Sequence, residues 1–179
     1  MTAIESLLAI AILSIAGGAL LSSLATAVRT SREIALTTVA RGLADQLIAE
    51  VVASPVPSDP ASATPAAPRA NFLVVDHFHL WTESPPQDRF GRVLGTEGIA
   101  ASGSSSVRHV ALQADSALLT RFRRTVTVEK VAPGDGTWII TASDTLFRRV
   151  VVEVVLEEDD RTRKLADASR IVCHVAPAL

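Results

Sequence analysis

Twenty-three consecutive residues, Ser6 to Val28, carry neither a charge nor a proline: SLLAIAILSIAGGALLSSLATAV. As a helix rising about 1.5 Å per residue, this run is roughly 35 Å long, enough to cross a ~30 Å hydrocarbon core. It carries most of the apolar surplus that lifts the hydrophobic share to 48% and the mean hydropathy to +0.33, values high for a soluble globular chain. Beyond Val28 the balance is ordinary, with 17 basic and 18 acidic side chains. The net charge of −2 gives no bulk field that would draw nucleic acid or an anionic surface. A single cysteine excludes an intramolecular disulfide framework and any cysteine-rich zinc site. The 179 residues therefore read as one membrane-length helix joined to a water-soluble part.

The flank of the run is unusual. A signal peptide or signal anchor places Lys or Arg ahead of its apolar segment. Here only Met1-Thr2-Ala3-Ile4-Glu5 precedes it, and the one charge is acidic. The expectation drawn from this is that a basic leader has been removed and that Met1 is a processed end. Glu5 needs its own account, because an acid costs about 2.5–3.5 kcal/mol at the centre of a membrane helix and less near its rim. Either it pairs with a cationic partner, or it is a first-turn acid favoured by the helix dipole by a few tenths of a kcal/mol.

The stretch Met1-Thr2-Ala3-Ile4-Glu5-Ser6-Leu7-Leu8-Ala9-Ile10-Ala11-Ile12-Leu13 resembles the mature N-terminus of type IV pilin-like proteins, which include the pseudopilins of type II secretion. The resemblance implies that prepilin peptidase cleaves ahead of Met1 and methylates its amine. It also implies that Glu5, at the family's hallmark position, pairs with the N-terminal amine of a neighbouring subunit. Two features depart from the usual pattern. Met1 stands where the family mostly has phenylalanine, and Ser22 stands where many true pilins have a kinking proline. The resemblance covers about the first 53 residues and is architectural beyond them.

The helix is expected to continue past the membrane. From Arg29 to Ala53 there is no proline, and Leu36, Val39, Leu43, Leu47 and Val51 recur every three or four residues, widened by Ile48 and Val52. Such a stripe suits one helix face packed on a sheet. The helix, residues 1–53 with a membrane or filament-core part at 6–28, is followed by a linker at 54–70. Five prolines in 17 residues (Pro55, Pro57, Pro60, Pro65 and Pro68) deny that segment a helix and favour an extended connector.

Residues 71–179 read as a β-rich head. Arg121–Val131 and Leu146–Leu156 have the alternation and β-branching of strands, and Ser169–Val175 is a suitable partner. Pro133-Gly134-Asp135-Gly136 is a turn by its chemistry. Glu157 to Arg161 is expected at a charged hairpin tip. Phe72–Val75 and Val107–Leu112 are candidate short strands, and Gly91–Ser106 a surface loop. The fold class is α+β: a long N-terminal helix laid on an antiparallel sheet in a pilin-like arrangement.

Polar clusters in the head were weighed as chemistry. His77 and His79 would share a face if Asp76-His77-Phe78-His79 were a strand, yet a zinc site needs ligands that nothing else supplies. Glu157, Glu158, Asp159 and Asp160 are weak calcium candidates, because the run lacks the alternating oxygen-ligand spacing. Cys173 between apolar neighbours reads as a small buried hydrophobe, with His174 on the opposite strand face. No G-x-S-x-G is present, and Ser102–Ser106 have no evident base. Arg121, Arg123 and Arg124 are thin support for nucleic-acid binding on an acidic chain. Trp81 beside Pro85-Pro86 suits either a subunit contact or a loop packed by its own aromatic.

The resulting expectation is a non-enzymatic structural subunit of a type IV pilus-like or pseudopilus filament, without a cofactor or nucleic-acid partner. Its implied partners are identical or homologous pilin subunits, the prepilin peptidase and an assembly platform. It would sit in a bacterial inner membrane before assembly and then in a periplasmic or extracellular filament. Gly17 and Gly18, flanked by Ala16 and Ala19, would let neighbouring helices approach closely. A minor tip or priming pseudopilin, and a signal-anchored binding or enzymatic domain, are the alternatives.

Overall fold

The computed structural model describes residues 2–57, 69–95, 116–158 and 161–174. One helix, α1 (Ala3–Val52), runs through 50 residues without interruption. It belongs to two compact units, one ending at Thr38 and one beginning at Val39.

Through most of the first unit the apolar side chains surround the helix, and none of the described residues covers them. From Ile4 to Val28 the large hydrophobic residues are between 59% and 78% exposed. The hydroxyls in this stretch are satisfied within the helix. Ser14 Oγ donates to Ile10 O at 2.8 Å, and Thr26 Oγ1 to Ser22 O at 2.9 Å. Internal satisfaction of polar groups is what an apolar solvent demands.

In the second unit the helix changes character. Ala40, Leu43, Ala44, Leu47, Ile48 and Val51 are buried. The two alanines fill gaps that a stripe of larger residues would leave. Of the expected stripe, Leu36, Leu43, Leu47 and Val51 are buried and Val39 is half-buried. The helix stops at Val52, ahead of Pro55 and Pro57, where an X-Pro step disfavours helical backbone. Val56 and Pro57 are buried, so the chain after the stop begins packed against the head.

The head is an antiparallel sheet with strand order β1-β2-β4-β5: β1 (Thr82–Glu83), β2 (Phe122–Pro133), β4 (Phe147–Glu158) and β5 (Arg161–Cys173). A short β3 (Trp138–Ile140) returns along β2 after the glycine-containing turn. Gly136 there has φ +75°, a backbone region that favours glycine. Alternation along β2 and β4 sends Phe122, Arg124, Val126 and Val128, with Arg148, Val150, Val152 and Val154, to the buried face. A register shift between Val154 and Val155 ends this regularity, and Val154, Val155 and Leu156 are buried in succession.

Several expectations are corrected. Phe72–Val75 is not a strand; the chain there passes between 3-10 turns at Arg69–Asn71 and Val75–Phe78. Three edge-on aromatic contacts, Phe72 with His77, Phe78 and Trp81, fold the segment on itself. The third long strand starts at Arg161, well before Ser169, because β4 is long enough to pair it throughout. Glu157 and Glu158 belong to β4 and Arg161 to β5, so the turn is tighter than expected; Asp159 and Asp160 lie outside the described residues. Cys173 is exposed, not buried. It pairs with Phe147 from the outermost strand of the sheet. Val107–Leu112 and most of Gly91–Ser106 lie outside the described residues.

Candidate functional site

Glu5 lies in the first turn of α1. Thr2 begins this turn, its carbonyl accepting from Glu5 N at 3.1 Å and Ser6 N at 3.3 Å. The Glu5 carboxylate reaches back to the Thr2 amide, with Thr2 N donating to Glu5 Oε2 at 3.4 Å. Thr2-x-x-Glu5 is thus the spacing of a capping box, a signal present in the sequence that the reading of Glu5 as a dipole-favoured acid did not use. At 3.4 Å the contact is longer than a good N–H···O bond. Glu5 stays exposed.

The surroundings of Glu5 are apolar. Ile4, Leu7, Leu8 and Ile12 stand exposed along the following turns, and α1 is long and apolar enough to cross a membrane. At Gly17 and Gly18 an added Cβ would meet nothing within the chain. Met1 lies outside the described residues.

No family model, curated protein or solved structure matches the chain.

In the head, the charged residues that look available in the sequence are mostly committed to one another. Arg124 is wholly buried on strand β2. It pairs with Glu83 of β1, donates from Nη1 to Leu43 O of the helix at 3.1 Å, and donates from Nη2 to Gln87 O at 2.7 Å. Arg69 joins the cluster by pairing with Glu83 and with Glu50 of the helix, the latter at 2.7 Å. Burial pulls the Arg124 pKa down, and the adjacent Glu83 charge pushes it back up. Two arginines and two glutamates thereby join helix, β1, β2 and the chain after the proline-rich segment.

A second buried pair, Arg148 Nε to Asp76 at 2.9 Å, fixes the Val75–Phe78 turn to β4. The three arginines of the sequence cluster are placed differently. Arg124 is interior, Arg121 pairs with Glu158, and Arg123 pairs with Glu157 at 3.1 Å. The same pairs occupy the carboxylates of the calcium candidates Glu157 and Glu158. Among the described residues no group of three or more His, Cys, Asp or Glu is placed to hold a metal. His77 Nδ1 accepts from Leu73 N, and His79 Nδ1 from Val128 N, both at 3.2 Å. The two rings thus organise backbone.

Sequence reasoning missed both buried ion clusters. Parity carried the signal. Arg124 is in step with Phe122 and Val126, and Arg148 is in step with Val150 and Val152.

Proposed function

We propose that this chain is a structural subunit of a filament of the type IV pilin-like class, held in a membrane before assembly by the first part of α1. The observation that carries this reading is the pairing of an uncovered, all-round apolar helix with one acid in its first turn. Lipid satisfies such a helix before assembly, and the same helices of neighbouring copies satisfy it afterwards. Glu5 selects the register, since only a copy displaced along the axis brings an N-terminal amine to the carboxylate. The small residues Ala16 to Ala19 suit close helix approach in the filament interior. A sheet head, secured to the far part of the same helix, gives each subunit its surface.

The test is Glu5→Leu. Removing the acid leaves membrane insertion unchanged or slightly better. It also leaves a neighbour's amine unpaired in an apolar interior, a loss on the order of 3–5 kcal/mol per contact. The expected outcome is a variant found in the membrane fraction at normal abundance, with no filaments in electron micrographs of sheared surface or periplasmic material. Normal filaments from the variant would reduce Glu5 to a helix cap and remove the basis of the proposal.

A further inference from the structure

A cavity of about 280 Å³ lies on the buried side of the sheet, lined by Asp76, His79, Val128, Lys130 and Arg148. Its size falls near the lower end of small-molecule sites, which span about 300–1,000 Å³. We propose that it is a binding site for a small carboxylate anion, and that the Asp144 side chain competes with the anion from the rim for Lys130 and Arg148.

The donors of the cavity are only partly used. Arg148 spends Nε on Asp76 and Nη1 on the carbonyls of Thr145 and Phe147. Its Nη2 reaches only Asp144 Oδ1, at 3.5 Å, the outer limit of a hydrogen bond. Lys130 Nζ carries three N–H groups, and the same Asp144 oxygen takes one of them at 3.0 Å. His79 is held in one tautomer: because Nδ1 accepts from Val128 N, the ring proton of the neutral imidazole sits on Nε2. A guanidinium, an ammonium and an imidazole N–H therefore line one space with donor capacity left over.

The backbone beside this space is held in an unusual shape. Leu80 has φ +58°, a left-handed conformation that costs a non-glycine residue free energy and persists where its surroundings enforce it. That turn lets Trp81 O accept from Val126 N at 2.8 Å while the His79 ring accepts from Val128 N. His79 is thereby fixed over β2, in place of a regular strand partner.

Charge favours an anion that exchanges with Asp144. Asp76 and Arg148 form an interior pair, with side chains 9% and 2% exposed, so Asp76 is permanently committed. Asp144 is 47% exposed and bridges Lys130 and Arg148 from the rim. The hydrogen bond and charge of Lys130, reinforced by Arg148, hold its carboxyl below the usual aspartate range. A ligand carboxylate entering as Asp144 swings out takes over its ion pairs with Lys130 and Arg148. It can also approach Lys130 and Arg148 more directly than a side chain tethered beyond the rim.

The test is isothermal titration calorimetry of the full chain in detergent micelles with citrate, at matched ionic strength. Saturable binding is expected. Lys130→Met should weaken it by about tenfold, equivalent to about 1.4 kcal/mol. Asp144→Asn should tighten it severalfold, since the competing carboxylate is gone. Arg92→Ala, which removes an exposed cation paired with Asp88 outside the cavity, should leave it unchanged. The opposed signs of the two cavity variants carry the proposal, because mere structural damage would weaken binding in both. Absence of saturable binding, or any other combination of shifts, overturns it.

Discussion

The two parts of α1 use similar residues for opposite ends. Before Val28 the large apolar side chains stand exposed on every face; after Val39, residues of the same kinds are buried along one. Hydrophobicity alone does not separate them. Distribution around the axis does: leucine, isoleucine and alanine encircle the first part, whereas Arg41, Asp45 and Gln46 break the ring in the second and leave a stripe. A helix apolar all round has no inward face to choose, so it requires an apolar solvent or other helices. A striped helix is completed by one sheet.

The contrast extends to charge. Among the described residues the Glu5 carboxylate makes one long contact, to its own helix end, and it stays exposed. Glu83 is closed in by two arginines, and its removal would harm only the head. Glu83 serves the fold of the head, whereas in the filament proposed above Glu5 would serve assembly.

Substitutions in the two parts should separate these roles, beginning with the largest effect. Arg124→Leu leaves Glu83 with Arg69 as its one cation, removes the buried bonds to Leu43 O and Gln87 O, and should destabilise the head by about 3–5 kcal/mol. A urea melt of the full chain in detergent, followed by far-UV signal from the sheet, measures it. A loss below about 1 kcal/mol would mean that water or Arg69 can satisfy Glu83 unaided.

Leu47→Ala should cost the same transition about 2–5 kcal/mol, from lost burial and a cavity. Leu13→Ala removes an equal side chain from the uncovered part and should leave the head transition within about 0.5 kcal/mol of its parent value. Equal effects from both would break the distinction between the two parts of the helix.

Lys164→Ala should leave the melt close to that of the parent chain, because its contacts with Glu153 and Asp167 are exposed at the sheet edge and screened by solvent. The smallest effect concerns pH. Asp144 is held below its ordinary pKa chiefly by Lys130. Its contribution to stability is therefore present above the unfolded-state value and is lost as pH falls through the depressed folded-state value. In Lys130→Met the Asp144 carboxyl, followed by NMR, should titrate higher, nearer an ordinary aspartate, and this part of the acid dependence should shrink. An unchanged titration would assign the depression to Arg148 and the Thr145 amide.

What the sequence determined alone is whatever depends on neighbours along the chain. An uncharged run longer than a bilayer core, a stripe at helical spacing, prolines beyond it and β-branched alternation at 122–131 and 147–156 each act locally. Their elements follow with little help from the rest of the molecule. The Thr2-x-x-Glu5 cap was equally local. What only the tertiary structure decided is which polar side chains have partners far along the chain. Arg124 joins Leu43, Glu83 and Gln87; Arg148 joins Asp76; and Cys173 is exposed because β5 forms the sheet edge. Burial of a charge depends on the position of its counter-charge in space, and separation along the chain does not encode that position.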